Sequence, residues 1–289
     1  MDFLRPETLA DALAAKADRP DAVPIAGGTD VMVELNFDHR RPAALLDLTG
    51  IEELTRWSTS DGQVVLGAGV PYARVIAELG ELVPSLAQAS RTVGSPQIRN
   101  RGTVGGNLGA ASPAGDTHPV LLALGCSVEV ASVRGTRILP AEEFYLGVKR
   151  NALEPDELII AVHLPASAGP QQFAKVGTRN AMVIAVCSFA LSLRPDRAEI
   201  GAAVGSAAPT PRRARAAEEF LANELPWTSP APLADSLKRR FGELVAEAAS
   251  PIDDVRGSAA YRKHALSVLA RRTLTWAWDE HRTGERSCA

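Results

Sequence analysis

Residues 94–119 read GSPQIRNRGTVGGNLGAASPAGDTHP, and this stretch constrains the fold of the 289-residue chain more than any other. It holds six glycines and three prolines, and its small polar residues form no continuous apolar face. Such a composition disfavours both a helix and the interior of a sheet. Glycine reaches positive φ without steric cost and lets the backbone approach a ligand closely. We therefore predict an irregular loop that wraps an anionic ligand.

A second glycine pair lies near the start of the chain, where a predicted strand at residues 23–26 runs into Gly-Gly-Thr-Asp at residues 27–30. A further strand at residues 44–48 completes a predicted β/α/β unit, and ligands of open α/β sheets bind at the carboxyl ends of strands. Gly105 and Gly106 form the matching pair, and Gly105 is expected to adopt positive φ beside a phosphate. Two adjacent nests of backbone N–H groups would hold a pyrophosphate. The alternative is that both pairs are ordinary turns.

The other familiar ligand and catalytic motifs are missing from the sequence. Neither glycine pair matches G-x-G-x-x-G or carries a P-loop lysine. No Ser-His-Asp order, paired-carboxylate signature or metal-ligand spacing stands out, so any catalysis would depend on a cofactor. Cys126, Cys187 and Cys288 are far apart, which predicts neither disulfides nor a zinc or iron–sulfur site. The first two are expected to be buried small hydrophobes.

Several polar residues are candidates for contacts with such a cofactor. Asn107, Ser112 and Asp116 could bind ribose or ribityl hydroxyls beside the phosphates, or could bond their own backbone as turn residues. His118 precedes a proline at a predicted helix start and is either a catalytic candidate or part of that helix start. Lys175 lies in an apolar strand, so it either faces the solvated side of a sheet or reaches a cofactor and tunes its electronics.

The overall composition limits the classes of partner. The net charge is −3 and 46% of the residues are hydrophobic, with basic residues scattered among acidic ones, which argues against nucleic-acid binding. The longest apolar runs are far shorter than the ~20 residues that a membrane span needs. The N-terminal residues lack the basic start and apolar stretch of a signal peptide, which predicts a cytoplasmic protein.

The chain is predicted to have an α+β fold. Residues 166–170, a short segment of small residues that ends in proline, are the predicted linker to a C-terminal domain. In that domain, strands are followed by helices, which is the α+β pattern. The strands are predicted at residues 173–176, 183–193 and 199–204, and the helices at residues 214–223, 233–249 and 258–278. The predicted domains are residues 1–55, 56–168 and 169–289.

Three motifs together resemble a known family. They are IAGGTD at residues 25–30, IRNRGTVGGNL at residues 98–108 and ASPAGD at residues 111–116. They are similar to the FAD-binding (medium) subunit of molybdenum hydroxylases, a group that includes bacterial xanthine dehydrogenases and the medium subunit of aerobic carbon monoxide dehydrogenases. The resemblance extends over essentially the whole chain. It implies a two-subdomain FAD-binding domain of the vanillyl-alcohol-oxidase (PCMH) type, followed by a C-terminal antiparallel sheet with helices.

The resemblance also assigns residues to FAD. The first loop and the turn at residues 103–107 would hold the pyrophosphate, Ser112 and Asp116 would reach the ribityl chain, and Ile159 would pack near the adenine or the ring system. Lys175 would lie close to the isoalloxazine ring. The full set implied is Ile25, Ala26, Gly27, Gly28, Thr29, Asp30, Val31, Val93, Thr103, Gly106, Asn107, Gly109, Ala110, Ser112, Asp116, Ile159 and Lys175. No catalytic or metal-binding residue is implied on this chain.

In such complexes the substrate is hydroxylated at a molybdenum cofactor on a large subunit. Electrons pass through two [2Fe–2S] clusters on a small subunit to this FAD and then to NAD⁺ or another acceptor. The expected assembly is a dimer of heterotrimers, an oxidoreductase of the xanthine dehydrogenase type.

Two positions depart from what the resemblance would lead us to expect. Val93 stands where animal xanthine dehydrogenases have an aromatic residue over the flavin, which questions aromatic stacking. Asp30 replaces a serine typical of carbon monoxide dehydrogenases and therefore favours the xanthine type. The alternatives are the medium subunit of a carbon monoxide dehydrogenase or of another aromatic-heterocycle or aldehyde hydroxylase, a stand-alone flavin oxidoreductase, and a non-catalytic assembly protein.

Overall fold

The computed structural model describes residues 1–166, 169–229 and 231–284. Cys288 and two residues of the predicted linker, 167 and 168, lie outside these ranges. The described strands form four sheets. No helix in these ranges is both long and apolar enough to cross a membrane, and they contain no cluster of side chains suited to a metal ion. Cys126 and Cys187 are buried free thiols, which confirms the prediction for them.

The first sheet has three parallel strands in the order β1-β3-β2. Its elements are β1 (Asp2–Leu4), α1 (Leu9–Asp18), β2 (Val23–Ile25), α2 (Val31–Asn36) and β3 (Ala44–Asp47). Apolar side chains from α1 and β3, including Ala12 and Leu46, pack into a small core of their own. A 3₁₀ segment at Glu52–Thr55 leads out of this unit. The predicted β/α/β unit with a double glycine after its first strand is therefore present.

The second sheet is antiparallel, with the strand order β4-β5-β10-β6-β7. These strands are β4 (Trp57–Ser60), β5 (Gln63–Gly67), β6 (Ser127–Ser132), β7 (Gly135–Pro140) and β10 (Leu158–Pro165). Between β5 and β6 lie α3 (Tyr72–Glu78), α4 (Pro84–Thr92), α5 (Pro96–Arg101), α6 (Val104–Ala110) and α7 (His118–Leu124). After β7 come α8 (Ala141–Phe144) and a two-stranded ribbon of β8 (Tyr145–Gly147) and β9 (Arg150–Asn151). Residues from α3, α4, α6 and α7 share one hydrophobic core with this sheet.

The prediction of an irregular loop at residues 94–119 was wrong, because this stretch contains α5, α6 and the start of α7. Ser95 caps α5, whose first turn holds a proline, and Thr103 caps α6 by accepting a hydrogen bond from the Gly106 N–H at 2.9 Å. These caps satisfy N–H groups that a short helix otherwise leaves unpaired. Of the six glycines only Gly94 has a positive φ, at 47°. Gly105 is helical, so the positive φ expected for it was also wrong.

The C-terminal part is an antiparallel sheet covered by helices, which confirms the predicted α+β class. Its strands are β11 (Gln171–Val176), β12 (Cys187–Arg194), β13 (Glu199–Gly205) and β14 (Arg212–Arg213). A 3₁₀ segment, Pro195–Arg197, joins β12 to β13. The helices are α9 (Arg215–Glu224), α10 (Asp235–Ala248) and α11 (Ala259–Thr283). The predicted second strand began too early, because residues 183–186 precede β12.

The C-terminal sheet is packed on both faces, with α9 to α11 on one side and α4 and α7 on the other. All seven residues of α7 are buried. A Cβ atom on Gly201 of β13 would lie 1.7 Å from the Ala123 carbonyl oxygen, so backbone meets backbone at this contact. The domain boundaries at 55/56 and 168/169 stay predictions, since sheet order alone does not test them.

We expect Gly201→Ala to destabilise the protein, because the added methyl group cannot fit between β13 and α7. Overpacking of a core costs about 1–3 kcal/mol. Thermal unfolding followed by circular dichroism measures the effect. Gly80→Ala is the matched control, since its Cβ would meet nothing closer than a carbonyl oxygen at 3.7 Å. An equal melting temperature for the two variants would contradict the close contact.

Candidate cofactor site

A cavity of about 710 Å³ lies between the first sheet and the helices of the second. Its walls come from residues 26–31, from α6, from residues 93–94, from Leu158 and Ile159, and from residues 183–184 of the C-terminal part. Cofactor pockets in proteins range from ~300 to ~1,000 Å³. The cavity therefore has room for a ligand of cofactor size and is built from all three sheet regions.

Both glycine pairs line this cavity, and Gly27 of the first pair contacts the segment just before α6. A Cβ atom on Gly27 would lie 1.9 Å from the carbonyl oxygen of Arg101, and one on Gly102 would lie 3.3 Å from the Thr29 hydroxyl oxygen. The loop after β2 therefore lies directly against the segment that joins α5 to α6. Only glycine allows this approach at position 27, since any side chain would push the two segments apart.

Unpaired backbone N–H groups are concentrated at this junction. Within the described part of the chain, the N–H groups of residues 27–31 donate to no protein acceptor, and neither do those of Val104 and Gly105 in the first turn of α6. Gly28 has φ +74°, which turns the first loop sharply before α2. Successive free N–H groups in such turns attract anions. The arrangement is suited to a ligand with more than one phosphate.

A buried ion pair stands at another part of the wall. Lys175 Nζ lies 2.6 Å from Asp116 Oδ2, and each side chain is only 7% exposed. Lys175 also donates to the Thr92 carbonyl oxygen, and the Thr92 hydroxyl donates to Asp116. Burial raises the pKa of Asp116, while the Lys175 ammonium opposes that rise. Asp116 Oδ1 is buried without a hydrogen-bond partner and belongs to a cavity-lining residue, so a ligand hydroxyl would satisfy it.

Most of the predicted site residues line the cavity. Those that do are Ala26, Gly27, Gly28, Thr29, Asp30, Val31, Val93, Thr103, Gly106, Asn107, Gly109, Ala110, Ser112, Asp116 and Ile159. Ile25 and Lys175 do not line it. Ile25 is the last residue of β2, and Lys175 stands behind Asp116. Any effect of Lys175 on a ligand would therefore act through its charge and its hold on Asp116.

His118 has a purely structural position, whereas Gly105 both lines the cavity and serves helix packing. The His118 ring is fully buried, and its Nδ1 lies 2.9 Å from the Tyr145 hydroxyl. Desolvation lowers the pKa of His118 to about 3, so the ring is neutral. It does not line the cavity, so of the two alternatives for His118 the structure supports the one in which it belongs to the start of a helix. A Cβ atom on Gly105 would lie 2.5 Å from that of Ala68, so this glycine lets α6 pack against the end of β5.

Sequence reasoning missed several lining residues. Glu34 of α2 forms an ion pair with Lys149 at 2.8 Å, and both residues line the cavity. The hydrogen bond from Lys149 lowers the pKa of Glu34, and the same bond raises the pKa of Lys149. Val183 and Ile184 were missed because they were predicted as strand. Gly69 also lines the cavity, and the Gly-Ala-Gly of residues 67–69 was a signal that could have found it.

The apolar part of the cavity is aliphatic. Val93, Ile159, Val183 and Ile184 line it, and Tyr72 is the only aromatic residue among the described lining residues. The Tyr72 side chain is 3% exposed and belongs to the core of the second sheet. Val93 had placed aromatic stacking on the flavin in question. No Phe or Trp side chain among the described residues is placed to stack on a ligand here.

Two protein families match this chain. Residues 1–167 match the family described as the FAD binding domain in molybdopterin dehydrogenase. Residues 172–277 match the CO dehydrogenase flavoprotein C-terminal domain. The chain belongs to the FAD-binding subunits of the molybdenum hydroxylase family. It is therefore the flavin subunit of an oxidoreductase complex, as the resemblance implied.

Similar proteins cover the chain from end to end. The xanthine dehydrogenase FAD-binding subunit of Escherichia coli O157:H7 is 31% identical, over 95% of each chain. The caffeine dehydrogenase subunit beta of Pseudomonas sp. (strain CBB1) is 36% identical over 78% of this chain and 81% of its own. Quinoline 2-oxidoreductase from Pseudomonas putida 86 contains a chain that superposes with a TM-score of 0.89 at 27% identity, covering 98% of both.

A chain of carbon monoxide dehydrogenase from Hydrogenophaga pseudoflava also superposes with a TM-score of 0.89, at 26% identity and over 96% of this chain and 97% of that one. FAD suits the cavity on three counts. The free N–H groups around the glycine pairs match a pyrophosphate, the unpartnered Asp116 Oδ1 matches a hydroxyl donor, and the aliphatic wall matches a flat ring system.

We expect Gly27→Ala to lower the FAD content of the purified protein strongly, because the methyl group would separate the two loops. The measurement is the flavin absorbance per protein after gel filtration, together with a far-UV spectrum to confirm folding. Gly50→Ala is the control, since Gly50 does not line the cavity and its Cβ would meet nothing closer than the Pro6 carbonyl oxygen at 3.7 Å. A folded Gly27→Ala protein with normal FAD content would refute the role of this contact.

Proposed function

We propose that the 710 Å³ cavity binds FAD, with the pyrophosphate between residues 27–31 and the first turn of α6. The observation that carries this placement is the contact of Gly27 with Arg101 and Gly102, beside a set of unpaired N–H groups. Thr103 would keep the first turn of α6 in place through its bond to the Gly106 N–H, and Asp30 would close the other side. This interpretation makes the backbone, rather than a lysine, the phosphate ligand.

Beyond the pyrophosphate, Ser112 and Asp116 would bind the ribityl hydroxyls, and Asp116 has a free buried oxygen for this purpose. Ile159 would pack on the adenine or the ring system. Val93 and the C-terminal end of α6 would lie beside the flavin and present an aliphatic surface to it. Lys175 would influence the ring through the Asp116 carboxylate that it holds at 2.6 Å.

When bound, FAD would accept electrons delivered one at a time by [2Fe–2S] clusters and pass two to NAD⁺ or another acceptor. We propose that the clusters are on a small subunit and the molybdenum cofactor is on a large one. The complex would be a dimer of heterotrimers in the cytoplasm. This chain's own contribution would be to bind FAD, to keep bulk water from its phosphates, and to set the charge around its ring.

We propose a complex of the xanthine dehydrogenase type. Named relatives include subunits for xanthine, caffeine and nicotine, which are all nitrogen heterocycles. Asp30, where carbon monoxide dehydrogenases tend to have serine, points the same way. A carbon monoxide dehydrogenase is the second candidate, favoured by the close superposition on such an enzyme. The substrate would be chosen on another subunit in either case.

The test of this function uses the intact complex, purified through an affinity tag on this chain. We expect xanthine or a related purine to bleach the flavin absorbance under anaerobic conditions, and NAD⁺ to restore it. Stopped-flow absorbance measures both steps. Bleaching by carbon monoxide but not by purines would select the second candidate. A tagged chain that binds FAD but recovers no iron–sulfur or molybdenum subunit would contradict a role in a complex.

Lys175→Met and Asp116→Asn are predicted to shift the FAD reduction potential in opposite directions. Loss of the lysine leaves a carboxylate beside the ring and lowers the potential, whereas loss of the carboxylate leaves an ammonium and raises it. The double variant should lie near the wild type, because it removes both charges. Potentiometric titration of the FAD-loaded chain measures the shift. Shifts of the same sign in both single variants would show that the pair does not act on the flavin.

A further inference from the structure

A second cavity, of about 340 Å³, lies between α10 and α11 in the C-terminal part of the chain. It is lined by Asp235, Lys238, Val268, Arg271, Arg272, Thr275 and Trp276. None of these residues lines the flavin cavity. The FAD site therefore accounts for no part of it.

The lining residues follow the helical repeat. On α11 they are residues 268, 271, 272, 275 and 276, which fall at i, i+3, i+4, i+7 and i+8 and so occupy one face of the helix. On α10, Asp235 and Lys238 are one turn apart at its start. Two helices thus hold these side chains around one space, and all the described lining residues lie on them.

The charge in this cavity is strongly unbalanced. Lys238, Arg271 and Arg272 face a single carboxylate, that of Asp235, which pairs with Lys238 at 2.7 Å. Neither arginine has a carboxylate partner within 4.0 Å among the described residues, whereas the nearby Arg240 is paired with Glu243 and Glu247. Lys238 is only 22% exposed, so part of its charge is removed from water. An anion would offset this accumulation of positive charge.

The Asp235 carboxylate reports the positive potential independently of any ligand. Its pKa is lowered first by the hydrogen bond from Lys238, then by the charge of Lys238, and further by Arg239 and Arg271. A negative group is therefore favoured at this position even though Asp235 is largely exposed.

The remaining wall is suited to a flat group. Trp276 and Val268 are half-buried and give an apolar surface beside the arginines. The Thr275 hydroxyl is bonded to the Arg271 carbonyl oxygen at 2.9 Å, so it is engaged with the helix backbone. Guanidinium groups bind phosphate in a planar, two-pronged manner, and an indole ring stacks on planar groups.

We propose that the cavity between α10 and α11 is a second ligand site, which binds a phosphate-bearing molecule with a planar ring, of the nucleotide class. Arg271, Arg272 and Lys238 would bind the phosphate, and Trp276 would stack on the ring. A nucleotide fits better than an acidic peptide because Trp276 gives a planar ring a surface to stack on beside Arg271 and Arg272. The site would make the flavin subunit responsive to a nucleotide without competition for FAD.

The experiment titrates the FAD-saturated full-length protein with ADP and, separately, with pyrophosphate, by isothermal calorimetry. Flavin fluorescence is recorded in parallel, so that any displacement of FAD is seen. We expect one saturable ADP site with no release of FAD. Arg271→Gln/Arg272→Gln should weaken ADP about tenfold or more, as the loss of charge-assisted hydrogen bonds implies. Trp276→Leu should weaken ADP but leave pyrophosphate binding nearly unchanged.

The control is Arg240→Gln/Lys263→Gln. It also removes two positive charges, one from α10 and one from α11, at positions outside the cavity. It should bind ADP like the wild type, and all variants should keep the wild-type melting temperature and FAD content. The proposal is overturned if the FAD-saturated protein binds neither probe saturably, or if the control weakens ADP as much as the test variant. Binding of a poly-glutamate peptide in place of ADP would also overturn it.

Discussion

The flavin cavity depends on one backbone contact, the approach of Gly27 to the carbonyl group of Arg101. It joins the loop after β2 of the small parallel sheet to the turn between α5 and α6 of the antiparallel sheet. Both segments leave N–H groups unpaired at the point of contact. Val104 and Gly105 are buried, and buried N–H groups without partners are costly unless water or a ligand satisfies them. The proposed FAD pyrophosphate would satisfy the N–H groups that are costly to leave unpaired.

The C-terminal part supports this site from behind. Its sheet packs against α4 and α7, and it supplies Lys175 to the buried Asp116 of the helix-rich segment. A buried carboxylate without that lysine would be destabilising by about 3–5 kcal/mol. The ion pair therefore links the position of the C-terminal sheet to the charge at the cavity wall. Val183 and Ile184, just before β12, extend the same connection to the aliphatic side of the cavity.

The sequence was most informative where one residue type has only one physical use. The glycine pairs at residues 27–28 and 105–106 predicted two backbone segments at one site, and both pairs line the same cavity. The helices in residues 94–119 could not be predicted from composition, because the caps at Ser95 and Thr103 outweigh the low helix propensity of glycine. Glu34 and Lys149 are 115 positions apart, and only the fold brings them together.

Several titratable groups at the cavity wall are held in ion pairs. Three carboxylates are paired: Asp116 with Lys175, Glu34 with Lys149, and Glu157 with Arg137. His118, the one histidine near the site, is kept neutral by burial. None of these is free to act as a general acid or base near neutral pH. Paired charges are instead well suited to hold a constant potential around a redox ring, which is the property that an electron-transfer subunit requires.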